Sequence, residues 1–145
     1  MIDQRHLHPV FDSRLARWLA VGAWMALIFF LSAQSQLPSP NDPWLNFLFK
    51  KSGHFIAYAI LAFLFWRALP TSRLVWAWSW LLTVLYACTD EFHQSFVENR
   101  HPAVRDVIID ACGAATALLI IWYAQRRSRA GATQVPAPVE NKRTS

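Results

Sequence analysis

The sequence predicts an all-α polytopic membrane protein with four transmembrane helices in a bundle. Three observations lead there. Hydrophobic residues fill 54% of 145 positions and mean hydropathy is +0.21, more apolar than an ordinary soluble domain of one compact unit. The apolar residues collect into four runs, while the 14 Lys and Arg lie mostly between the runs and at the ends. Eight tryptophans in so short a chain also suit an interfacial aromatic belt. Lipid offers the backbone no hydrogen-bond partner, and the alternation that a barrel strand needs is absent, so each run is expected to be a helix.

The first run, Trp18 to Leu37, carries no charge and is about the 20 residues that a hydrocarbon core requires. A small-x-small site at Ala33-Gln34-Ser35 raises the alternative of a cleaved leader. The run is longer than an ordinary leader core and its amino-terminal flank holds Asp3 and Asp12, so the helix is expected to stay. The second run, Ser52 to Leu69, is headed by Lys50 and Lys51 and has Arg67 near its end. The third, Leu74 to Thr89, is a little short. The fourth, Val107 to Ala124, is interrupted only by Asp110. These limits imply an amino-terminal segment over 1–14, a transmembrane domain over 15–125 and a disordered basic tail over 126–145.

With the amino terminus inside, ten Lys and Arg fall on the cytoplasmic side (Arg5, Arg14, Arg17, Arg67, Arg73, Arg126, Arg127, Arg129, Lys142, Arg143) and four outside (Lys50, Lys51, Arg100, Arg105). That bias puts both termini in the cytoplasm. It also gathers "KKSGH" and "TDEFHQSFVENRHPAVRD" at the outer end of the helices. Ionisable groups within a span cost about 2.5–3.5 kcal/mol on insertion scales and mark either function or a paired contact. Helical spacing draws these groups together. Lys50, His54 and Tyr58 recur every four residues, with Lys51 and His54 three apart; Tyr86, Asp90 and Gln94 recur every four; Asp106, Asp110, Gly113 and Ala117 form one stripe whose small residues admit a neighbouring helix. The plainer reading of Asp110 is a buried anchor paired with Lys50, Lys51, Arg100 or Arg105.

At these residues the chain resembles a known family. "LSAQS", "KSGHFIAYAILAFL" and "YACTDEFHQSFVENRHPAVRDVIIDACGA", taken in order, look like the VanZ-like family of small bacterial membrane proteins, over roughly Trp24 to Ala124. The resemblance implies functional positions at Lys51, His54, Tyr58, Asp90, Glu91, Gln94, Arg100, Asp106, Asp110 and Gly113, and location in the bacterial cytoplasmic membrane. Two departures stand out: "VENR", where a proline-glycine turn is expected before the arginine, and Asp110, at a place that often carries asparagine. The family is named for a protein that lowers susceptibility to the glycopeptide teicoplanin, and the resemblance carries no reaction with it.

Three uses of the cluster follow from its chemistry. A binding module would take the polar headgroup of an envelope lipid or lipid-linked wall precursor, with Lys51 and Arg100 on phosphate and Glu91, Gln94 and Asp106 on hydroxyl or amide groups. A hydrolase would hold a divalent metal on His54, His93, Asp90, Glu91, Asp106 or Asp110, although "DEFHQ" lacks the paired histidines of a metalloprotease helix. A structural network would merely fasten the helices. The first is preferred, with no metal and no cofactor expected. Cys88 and Cys112 read as small packing residues within helices. The basic tail has few aromatics and suits nucleic acid poorly. A second copy of the chain is a candidate partner, because four helices would have to oligomerise to enclose a transport path.

Overall fold

A computed structural model describes residues 13–34, 42–97 and 103–132. Among them are four helices and no strand: α1 (Arg14–Ser32), α2 (Pro43–Ala68), α3 (Val75–Gln94) and α4 (Val104–Ala132). Local chemistry starts the first two. The Ser13 side chain accepts from the Ala16 N–H at 3.1 Å, and one oxygen of Asp42 accepts from the N–H groups of Trp44 and Leu45 at 2.9 Å each, with Pro43 at the first helical position. Each cap satisfies donors that the first turn would otherwise leave unpaired.

By length and composition α1, α2 and α4 are apolar enough to cross a membrane. Helix α3 has 20 residues, about 30 Å, which matches a hydrocarbon core, but Asp90, Glu91, His93 and Gln94 crowd its last turns. Contacts run up, down, up, down. At one end Arg17 of α1 donates to the Arg67 carbonyl of α2. At the other, Ser32 closing α1 meets Asp90 and Gln94 closing α3, and Lys51 of α2 meets Asp106 in the first turn of α4. Helix α2 is central and packs against the other three.

The core is thin, as a bundle in lipid allows. Val21, Ile28, Tyr58, Leu61, Phe65, Ala68 and Ala87 form one buried cluster, and Ala62, Ala114 and Leu118 form another. Large apolar side chains such as Phe30, Ile56, Leu119 and Ile120 face outward, where hydrocarbon rather than water would receive them. Polar ties also cross between helices, among them Trp24 Nε1 donating to the Ala57 carbonyl at 2.9 Å and Tyr86 OH donating to the Met25 carbonyl at 2.6 Å. Between α2 and α4 the backbones come close. A Cβ on Gly113 would collide with the carbonyl oxygen of Phe55, so only glycine permits this approach.

Several sequence-based limits are corrected. Helix α2 begins at Pro43, not Ser52, because hydropathy marks only where charge ends, whereas the Asp42 cap sets where helix begins. Lys51 therefore lies about 12 Å along the helix, at 1.5 Å per residue, and not at its mouth. Helix α3 persists beyond Thr89 to Gln94. Helix α4 runs through the supposed tail boundary to Ala132, where Arg126 lies over the Trp122 ring and Arg127 over the Tyr123 ring, each one turn back. Cys88 and Cys112 are exposed on the bundle surface and do not pack its interior. Leu37, the Asn41 and Asn99 loops, Arg100 and residues 133–145 lie outside the described residues.

Candidate functional site

Eight of the ten expected positions meet at one end of the bundle: Lys51, His54, Tyr58, Asp90, Glu91, Gln94, Asp106 and Asp110. Gly113 lies at the contact of α2 with α4, and Arg100 lies outside the described residues. Helix α2 presents Lys51, His54 and Tyr58 on one face at spacings of three and four, while Lys50 is exposed on another. Helices α3 and α4 present the carboxylates.

The deeper half is built on Asp90, which is 3% exposed. Three donors from three helices converge on its Oδ2: Ser32 Oγ at 2.8 Å, Tyr58 OH at 3.1 Å and Gln94 Nε2 at 3.0 Å. Gln94 Nε2 also lies 3.4 Å from Ser32 Oγ. These bonds join the closing turns of α1 and α3 to the middle of α2. Asp90 Oδ1, equally enclosed, has no partner.

The second half joins α2 to α4. Lys51 Nζ stands 2.5 Å from Asp106 Oδ2, and His54 Nδ1 stands 3.5 Å from Asp110 Oδ1. The first is a tight ion pair; the second is an electrostatic contact outside hydrogen-bond geometry, so neither His54 Nδ1 nor Asp110 Oδ1 is satisfied by it. Asp110 is 1% exposed, whereas Lys51, His54 and Asp106 form a partly open rim. Among the described residues Asp110 thus pairs with His54 and not with Lys50, Lys51 or Arg105, while Arg100 lies outside them. The His54 ring stacks near Tyr58, with centroids 6.2 Å apart and planes 13° from parallel, which connects the two halves. Glu91 accepts from the Ala103 N–H at 2.5 Å and so fixes the entry of the chain into α4.

Ser32 is the site residue that sequence reasoning missed. Its signal was present in the "LSAQS" stretch closing α1, but a lone serine at a helix end carries no charge to draw notice. The other buried hydroxyls stay outside the site: Ser79 donates to the Val75 carbonyl and Thr83 to the Ser79 carbonyl, both within α3. His93 packs its ring against Phe29 of α1, with centroids 4.1 Å apart, and makes none of the contacts to Asp90. Among the described residues, no three His, Cys, Asp or Glu side chains are arranged to hold a metal ion.

Four carboxylates, one lysine and one histidine, several of them in a low-dielectric interior, make every unpaired atom costly and every well-placed polar contact strong. A family model described as VanZ/LLP1 matches residues 17–125, a stretch that takes in nearly all of the four helices. No curated protein and no solved structure matches the chain significantly.

Proposed function

The chain belongs to the VanZ/LLP1 family, and we propose that its polar end binds the headgroup of an envelope lipid or lipid-linked wall precursor. We further propose that it does so at the outer leaflet of the bacterial cytoplasmic membrane, with both termini inside, and thereby alters survival under glycopeptide or other envelope stress. The observation that carries the binding reading is the set of bare oxygens on Asp90, Asp106 and Asp110, enclosed beside the partly open Lys51 and His54. A network that served only to fasten helices would be expected to use up its acceptors, since an unsatisfied buried polar group costs about 1–3 kcal/mol. The ten-to-four distribution of Lys and Arg supports the orientation, as does the pairing of Arg17 with the Arg67 carbonyl at the end opposite the site.

Purification in mild detergent followed by native mass spectrometry tests this reading. Lipid or precursor should travel with the wild-type chain and be lost from Lys51→Ala, with that variant still folded and present in the membrane at normal abundance. Equal retention by wild type and Lys51→Ala, or a lipid-free wild type, would remove the headgroup reading. Loss of fold and phenotype together would favour a purely structural network.

A further inference from the structure

We propose that the group this site selects is a primary ammonium, so that the preferred ligand is an amine-bearing headgroup of the ethanolamine type rather than an anionic one; this rests on the headgroup reading above. Most donors of the site are already engaged; His54 Nδ1, enclosed and without a hydrogen bond, is the exception and stands 3.5 Å from Asp110 Oδ1. Ser32, Tyr58 and Gln94 all donate to Asp90 Oδ2, Lys51 is held by Asp106 Oδ2, and the Ala103 N–H is held by Glu91. The carboxylate atoms left bare are acceptors: Asp90 Oδ1, Asp106 Oδ1 and Asp110 Oδ1. Asp90 and Asp110 are 3% and 1% exposed, so bulk water does not serve them.

Charge points the same way. Among the described residues the site holds four carboxylates (Asp90, Glu91, Asp106, Asp110) and one lysine, which leaves three negative charges, or two with His54 protonated. Arg105, exposed and 5.3 Å from the Phe47 ring that Lys51 also faces, stands at the outer edge of this group and lowers the excess by at most one. Clustered carboxylates in a poorly solvated interior repel one another and resist a phosphate. An ammonium reverses both problems, bringing a positive charge and three N–H donors for acceptors that lack them. Its route in passes the rim of Lys51, His54 and Asp106, which are partly open, while Asp110 lies behind.

The test uses the full chain in mild detergent with phosphatidylethanolamine, phosphatidylcholine and phosphatidylglycerol of matched acyl chains, read by native mass spectrometry and thermal unfolding. Phosphatidylcholine has the same charge without N–H donors, and phosphatidylglycerol is anionic. Hydrogen bonds to charged groups predict phosphatidylethanolamine retention about tenfold above either lipid, falling to about twofold or less in Asp110→Asn, which keeps the shape and removes the charge. Asp106→Asn, on the rim, should do the same if Asp110→Asn fails to fold. Equal retention of ethanolamine and choline lipids, or a preference that survives both substitutions, overturns the amine. So does stabilisation by acid alone with no lipid dependence, which would mean that protons neutralise the site. Preference for phosphatidylglycerol overturns the amine and leaves the headgroup reading standing; retention of no lipid at all overturns both.

Discussion

Replacing Gly113 by alanine should separate helices α2 and α4, and the structure indicates by how much. The added Cβ would overlap the Phe55 carbonyl oxygen and come within 3.0 Å of its carbonyl carbon and 3.1 Å of its Cα. Carbon atoms prefer about 3.5–4.0 Å, so the two backbones must part by at least roughly 0.5 Å. Overpacking of this kind costs about 1–3 kcal/mol, and a backbone obstacle cannot rotate aside as a side chain would. Against it stands the gain of about 0.8–1.0 kcal/mol from putting alanine in place of glycine within a helix. The net expectation is a loss of about 1–2 kcal/mol, taking the upper part of the overpacking range less that gain. Gly22 and Gly53 supply the control, because a Cβ at either meets nothing within 4 Å; their alanine variants should be neutral or slightly more stable. The measurement is unfolding in mixed micelles with increasing dodecyl sulfate, followed by tryptophan fluorescence, since Trp24 and Trp80 are each tied to a neighbouring helix through their ring nitrogens. Gly113→Ala resisting dodecyl sulfate as well as Gly53→Ala would refute the close approach and, with it, the proximity of His54 and Asp110 on the same two helices.

Further outcomes concern the site and its orientation. Lys50→Ala should be tolerated, whereas Lys51→Ala and His54→Ala should abolish the envelope phenotype at normal membrane abundance; complementation under glycopeptide stress, with equal tolerance at both lysines, would reduce the doublet to an interfacial anchor. Tyr58→Phe deletes one of three donors to a buried carboxylate and should cost about 1.5–3 kcal/mol in the same micelle titration; an unchanged midpoint would show that Asp90 does not depend on it. Single cysteines at Ser39 and Ser128, in a background without Cys88 and Cys112, should react oppositely with an impermeant thiol reagent on intact cells, and labelling at Ser128 would reverse the proposed topology.

Much of this was legible in the residue order, for a physical reason. A hydrocarbon solvent makes long apolar runs unambiguous, so four helices follow from hydropathy and backbone satisfaction alone. Spacings of three and four likewise placed His54, Tyr58, Asp90 and Gln94 on inward faces. The start of α2 does not show in hydropathy because Lys50 and Lys51 lower it locally, and the capping pair Asp42-Pro43 carries no apolar pattern. Pairings were harder still. Which carboxylate meets Lys51 depends on the relative height of α2 and α4, and that height is fixed by Gly113 against Phe55, a contact with no pattern along the chain. The donor from Ser32 was hidden because it comes from the far end of α1, 58 positions before the acid it serves.

That order of donors and acceptors bears on how the chain enters the membrane. Synthesis delivers Ser32, Lys51, His54 and Tyr58 before Asp90, Asp106 and Asp110, so each carboxylate emerges when a partner already exists. Helix α3 gains most, since it falls short of the apolar standard that the other three meet and carries Asp90 and Glu91 toward the far face. An acidic group costs about 2.5–3.5 kcal/mol at the centre of a span and less toward its end, where Asp90 lies, and Ser32 and Tyr58 offer compensation only if α1 and α2 are already paired when α3 inserts. The buried carboxylate cluster thus makes biogenesis sequential, with the first hairpin acting as a scaffold for the second.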